Sequence, residues 1–202
     1  MAAKKRGRKI LLINQKLTPK NFFELLKLSF LHPHLFAFQI SQAKKIKQAL
    51  TFFVISTVLA AILQSLLQAF YYHNSGLVFL SIIMTIFTLI LGLTGLLVLA
   101  LFLHLFARLL KGQSRWQDSL KALAYSSAPL TLSWIPLISP LLLILSLYIL
   151  GVSFKLIHHY STAKAVLNII LPVLIWVLIL FMLNQLNLLL KLPVLNPTIS
   201  FI

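Results

Sequence analysis

Few residues in this chain can do chemistry, and their spacing limits which chemistry is open. Acid–base work by paired carboxylates needs two acids at one site. Glu24 and Asp118 are the only acids, far apart in the chain, and both read as cytosolic or interfacial. His32-x-His34 and His158-His159 place imidazoles close together. A protein-bound zinc takes three or four ligands, and no cysteine or adjacent carboxylate completes either pair. The expectation is no metal, no cofactor, and histidines at the membrane surface. Ser126 and Ser127 are candidate nucleophiles, with His104 as candidate base. The Gly-x-Ser-x-Gly turn that exposes a hydrolase serine is missing. So are the zinc-protease HExxH and the glycine-rich phosphate loop. No catalytic residue is expected.

Gln64 and Gln68 sit inside an apolar run. They could line a path for a permeating solute or hydrogen-bond between helices. The second use is the commoner and is preferred. A small-solute or ion transporter or channel, lined by these glutamines and a Ser/Thr face, is the alternative function.

Composition says what must position these groups. Of 202 residues, 60% are hydrophobic and 10% charged, with no cysteine and a net charge of +16. A soluble domain carries about 25% charged residues. These values exclude a soluble globule, a disordered chain and a disulfide scaffold. The expected fold class is all-α: a polytopic membrane bundle of five transmembrane helices, preceded by an interfacial amphipathic helix. The spans are expected over about 49–70, 77–107, 115–135, 137–154 and 165–183. The second includes 31 residues without a formal charge. In the fifth, fourteen of nineteen residues are Leu, Ile, Val or Phe. They are worth roughly 4–8 kcal/mol of insertion before the cost of Asn168 and Pro172. The apolar part of the third segment is short. Its helix is expected to start near Arg115, with Ser114 and Gln117 as a capping box and Gly112 ending the helix before it. A re-entrant hairpin of segments three and four is the rival arrangement. The run Ile10–Ile13 is too short for the apolar core of a signal peptide.

The cations order the loops. Counted around the apolar segments, the third taken from Ala122 to Ile135, Lys and Arg number 11, 0, 4, 0, 2 and 1 from the amino end to the carboxyl end. Such residues collect on the cytoplasmic side. The pattern places residues 1–48 inside as a basic cytosolic arm and 184–202 outside as a short extracytosolic tail, in an integral protein of a bacterial cell membrane. It also accounts for the basic charge without nucleic acid. Tyr71, Tyr72 and Trp134 fall at expected outer ends, and Trp116, Phe154 and Tyr160 at inner ends, depths that aromatic residues favour. Trp176 and Tyr148 fall nearer mid-span and read as packing residues.

Helices in lipid approach closely through small and weakly polar residues. Thr57, Ala61, Gln64 and Gln68 form one such face. Ser81, Thr85, Thr88, Gly92 and Gly95 form another. In the arm, Thr18 and Pro19 can start a helix that stops before Pro33. Phe22, Leu25, Leu26, Ser29 and Phe30 gather on one side of it, with Lys20, Glu24 and Lys27 opposite. It is expected to lie flat under the membrane. Lys4, Lys5, Arg6, Arg8 and Lys9, together with Lys44, Lys45 and Lys47, are expected to contact anionic headgroups at about 1 kcal/mol each. The expected partners are the anionic bilayer and an unidentified membrane or cytosolic protein, with a homo-oligomer also considered.

From Gly112 to Pro172 the chain reads GQSRWQDSLKALAYSSAP, then WIP, LYILGV, STAKAV and ILP. Gly112, Tyr125, Pro129, Pro136, Gly151 and Pro172 carry a pattern that resembles the YIP family, named for proteins that interact with Ypt/Rab GTPases. The segment FLHPHLF at Phe30–Phe36 is similar to the family's pre-membrane element. The resemblance implies five spans and a cytosolic amino end. In eukaryotic members it implies vesicle trafficking and Rab binding. Their acidic region with an Asp-Leu-Tyr-Gly-Pro motif has no counterpart here, and the likeness is to bacterial members. The function expected is a non-catalytic membrane scaffold that recruits lipid or a partner.

Overall fold

A computed structural model describes residues 12–72 and 75–191, with side chains except at scattered positions between 68 and 88 and from 173 onward. Among the described residues there are seven α-helices and no strand. They are α1 (Pro19–Leu31), α2 (Pro33–Ser41), α3 (Ile46–Tyr72), α4 (Ser75–Leu109), α5 (Trp116–Ser126), α6 (Ser139–His158) and α7 (Thr162–Lys191). Two short 3-10 turns, Leu12–Asn14 and Ala128–Leu132, complete the order.

Three stretches, Ile46–Leu67, Leu89–Leu109 and Ser139–His158, are long and apolar enough to cross a membrane. α7 has 30 residues, about 45 Å. Large apolar side chains such as Ile62, Leu66, Leu105, Leu141 and Leu178 stand exposed on these helices. Water would penalise so much exposed apolar surface; hydrocarbon does not.

The third expected span is not one helix. α5 stops at Ser126 after 11 residues, and the chain continues through the 3-10 turn to Ser139. Pro129 falls in the 3-10 turn and Pro136 in the turn after it, and Pro140 stands in the first turn of α6. Each lacks the N–H that a continuing helix needs. The start differs too. Arg115 precedes the first turn, and its N–H donates to Asp118 Oδ2 (3.1 Å). Asp118 takes the role expected of Gln117, and Ser114 is freed for another contact. Ser119–Ser126 are all buried, because α5 packs against α2, α3, α4 and α6.

The arm belongs to the same core. α1 starts as expected: Asn21 N–H donates to Thr18 Oγ1 (3.3 Å), with Pro19 in the first turn. Pro33 ends that helix and opens the next. The apolar face of α1 is covered by the chain's own helices. Phe22, Leu25 and Leu28 join Phe36 and Ile40 of α2, Phe52 of α3, Leu103 of α4, Tyr125 of α5 and Phe154 of α6 in one cluster. Phe22 meets Phe52 at 5.1 Å between ring centres, and Phe52 meets Tyr125 at 5.2 Å. Phe36 approaches Tyr125 edge-on. Of the five residues the wheel grouped, Phe22, Leu25 and Ser29 are buried and Leu26 and Phe30 half-buried, and Leu28, outside that group, is buried too. A helical wheel carries no information on whether lipid or protein covers it.

Candidate functional site

Polar side chains converge where α4 and α6 end and α5 begins. Both α4 and α6 close through a left-handed residue, Lys111 (φ 63) and His159 (φ 55). The next N–H then reaches back: Gly112 to Ala107 O (2.7 Å) and Tyr160 to Lys155 O (3.0 Å), the Schellman closure. Gly112 was expected to end α4 through its own conformational freedom. Lys111 supplies the left-handed turn instead. Glycine is needed at 112 for space, since a Cβ there would strike Tyr160, His158 and the Ala107 carbonyl. Tyr160 donates its hydroxyl to that same carbonyl. Burial pushes the Tyr160 phenol above its ordinary value, which keeps the O–H as a donor.

Beside this joint, one proton assignment satisfies a chain of contacts. Arg108 Nε–H donates to His104 Nε2 (3.5 Å). His104 Nδ1–H then donates to Ser119 Oγ (3.2 Å). Ser119 O–H donates to His158 Nε2 (3.4 Å). Ser114 Oγ lies 3.1 Å from His158 Nδ1. His158, nearly fully buried, stacks on Phe154 and on Tyr160, with ring centres 5.1 Å from each. Phe154 and Tyr160, expected at inner span ends, are buried inside the protein. Tyr148, expected to pack, is exposed.

Chemically this is a joint between helix ends. Ser119 and the histidines are the nearest approach to a nucleophile–base pair. The acid that would orient a base is engaged elsewhere: Asp118 accepts from Arg115 N–H and pairs with Lys121 (2.7 Å). Ser126 and Ser127 do not meet His104. They donate to Leu123 O and Ala124 O within their own turn. Lys121 is buried and also donates to Ala43 O (2.6 Å), tying α5 to the end of the arm. Asn14 adds two bonds, donating to Gln42 O and accepting from Lys44 N–H, and Gln48 donates to Gln15 O.

These contacts gather the cation-bearing ends. Lys44, Lys45 and Lys47 precede or open α3 and are exposed; Arg108, Lys111, Arg115, Lys155 and Lys164 are exposed at the joined ends of α4 to α7. The turn 127–138 has no charged residue. Lys4, Lys5, Arg6, Arg8 and Lys9 lie outside the described residues, as does 192–202. Of the small-residue faces, Thr57 and Gly92 come together: a Cβ on Gly92 would stand 3.7 Å from Thr57. Ala61 is buried, Gln64 is exposed, and Gly95 faces open space. The buried line on α4 continues through Leu96, Ala100, Leu103 and Ala107. The side chains of Gln68, Ser81, Thr85, Thr88 and Trp176 lie outside the described set. Among the described residues no group of three metal-ligating side chains occurs. His32 and His34 are exposed and separate from the joint.

A family model described as the Yip1 domain matches residues 27–184, most of the chain. This chain belongs to the Yip1 domain family. Against curated proteins and solved structures no match is found. The Yip1 match opens inside α1 and closes inside α7, so it takes in the docked arm as well as the bundle. Within the Yip1 domain, Gly112 is the floor of the joint, Tyr125 sits in the core, and Pro129 stands in the 3-10 turn. Pro136 is exposed in the following turn, Gly151 faces Ile169 of α7, and Pro172 lies inside α7. Sequence reasoning missed the partner of Lys121. A lysine three residues after Asp118 reads as a local helix pair, and nothing near it points to Ala43.

Proposed function

We propose that this multi-pass Yip1-domain protein is a non-catalytic scaffold of bacterial type. Its cytoplasmic end recruits anionic lipid or a cytosolic partner. The observation that carries the reading is the gathering of cations at one end of the bundle, with the arm held there by Asn14, Gln48 and Lys121. A fixed positive surface attracts an anionic leaflet at about 1 kcal/mol per cation. Phe23, Leu31, Leu35 and Phe38 are exposed on the arm helices, in keeping with a position at the interface. The histidine joint has no free acid and reads as structural.

In this reading the chain crosses five times, amino end inside and carboxyl end outside. α5 and the 3-10 turn together span about 26 Å, close to the roughly 30 Å of a hydrocarbon core. That length supports a third crossing over a re-entrant hairpin. The chain has no native cysteine, so Lys45→Cys and Leu137→Cys each provide a single label site. An impermeant maleimide on intact cells should label Leu137→Cys and spare Lys45→Cys; the reverse, or equal labelling, overturns the topology. For recruitment, energy transfer from tryptophan to labelled phosphatidylglycerol in nanodiscs should fall when Lys44, Lys45 and Lys47 become Gln, and should weaken with salt. Transfer that is insensitive to both removes the lipid part.

A further inference from the structure

A groove of about 400 Å³ runs between the start of α1 and α3. The turn into α1 and Phe22 form one wall. Val54, Val58 and Ile62, one face of α3, form the other. Thr18 is the only polar residue that lines it, and no charged one does. Phe23 and Ile62 at its edges are exposed, so the groove opens outward and not into the core.

Its direction follows from the bonds that hold the arm. Gln48 Nε2 donates to Gln15 O (2.7 Å), which sets the chain entering the groove level with the first turn of α3. Asn14 Oδ1 accepts from Lys44 N–H (2.9 Å) beside it. From Gln48 to Ile62 α3 rises about 21 Å, within the stretch Ile46–Leu67 that is long and apolar enough to cross a membrane. The groove therefore starts near the basic end of the helix and finishes in hydrocarbon.

Two cations stand at the starting end. Lys16 and Lys20 flank Leu17, Thr18 and Pro19, and both are exposed. Asn21 holds the loop between them: its Nδ2 donates to Lys16 O (2.9 Å) and its N–H to Thr18 Oγ1 (3.3 Å). Among the described residues the only ion pair is Lys121 with Asp118, so neither lysine is neutralised. Glu24 lies one turn further along α1 and lines a different hollow with Lys27.

An apolar slot with two unpaired cations at one end selects its occupant. A plain hydrocarbon would fill the slot and leave the cations unused. A soluble anion would do the reverse. A zwitterionic phospholipid brings its own ammonium toward two like charges. A second copy packed here would bring its own lysines to the same depth. An anionic phospholipid suits both ends. One acyl chain lies along α3, and the phosphodiester meets ammonium groups whose stems rest on apolar surface while their heads stay at the headgroups. The volume, about 400 Å³, falls within the roughly 300–1,000 Å³ of ligand pockets.

We propose that the groove between α1 and α3 is a discrete site for one anionic phospholipid, with an acyl chain in the slot and the phosphate between Lys16 and Lys20. The inference rests on the scaffold reading for a basic end that faces an anionic leaflet, and it adds a site separate from Lys44, Lys45 and Lys47. The full-length protein is reconstituted in phosphatidylcholine nanodiscs with a little phosphatidylglycerol that carries a diazirine in one acyl chain. After irradiation the adducts are mapped by mass spectrometry. They should concentrate on Phe22, Phe23 and residues 54–62, and unlabelled phosphatidylglycerol should compete them away. Val58→Trp, which fills the slot, and the pair Lys16→Gln with Lys20→Gln should each lower them several-fold. Val58→Phe replaces Val58→Trp if the latter does not fold. Adducts spread evenly over the exposed faces of α3, α4 and α6, equal labelling by a diazirine phosphatidylcholine, or adducts unchanged in both variants would overturn the proposal. So would a disulfide-linked dimer of Val58→Cys that forms at the expense of lipid adducts, which assigns the groove to a second copy. The tryptophan energy transfer separates this site from the reading it rests on. Transfer that still falls when Lys44, Lys45 and Lys47 become Gln, with no adducts in the groove, overturns the site alone. Groove adducts alongside transfer insensitive to those changes and to salt support the site and count against the wider cationic surface.

Discussion

The two polar regions of this bundle treat their hydrogen-bonding groups in opposite ways. At the cationic end, His104, Ser119, His158, Ser114, Tyr160 and Lys121 all have partners. Beside the break after α5, Ser56 of α3 and Thr131 of the 3-10 turn have none among the described residues. Both regions are buried, and both are rich in serine or threonine. The difference is closure. Two Schellman turns and a glycine let three helix ends collapse onto one another, so each of these side chains finds a partner. The proline-broken stretch cannot follow the helix it faces, and space remains. A satisfied buried network rigidifies.

The comparison breaks first at Gly112. Gly112→Ala should lower stability by about 3 kcal/mol, the upper end for overpacking a tight core, because one of the atoms it meets is the backbone oxygen of Ala107. Thermal unfolding in detergent measures this, and a normal melting temperature would mean the joint is looser than described. Lys121→Met comes next, at about 2 kcal/mol for a charge-assisted bond. It should also speed hydrogen exchange at the Lys44 amide, which Asn14 holds. Unchanged exchange would assign the arm to Asn14 and Gln48 alone. Ser119→Ala should cost about 1 kcal/mol, since it interrupts the chain between the two histidines. Ser56→Ala should have the smallest effect, within about 0.5 kcal/mol of the parent or slightly stabilising, because its hydroxyl has no bond to lose. A loss equal to that of Ser119→Ala would erase the distinction between the regions.

Much of this was legible before any coordinates. Thr18–Pro19 and Pro33 marked the limits of α1 because capping and proline geometry are local. The alternating cation count anticipated which helix ends lie together. The third segment was misread by weighting its apolar content over its prolines. Pro129 inside it and Pro136 just beyond it each lack the N–H that a continuing helix needs. What Phe154 and Tyr160 face was not legible: an aromatic residue near a helix end looks the same whether it meets lipid or a histidine.

By itself the sequence determined a helical membrane protein whose cations fall at the ends of its apolar runs. Hydropathy and helix-capping residues act within a few turns and need no distant partner. The tertiary structure alone decided that Gly112 lies under Tyr160, that Lys121 holds the carbonyl of Ala43, and that Ser56 and Thr131 come together beside the break after α5. Each of those pairs is separated by tens of residues, and what brings its members together is the packing of whole helices.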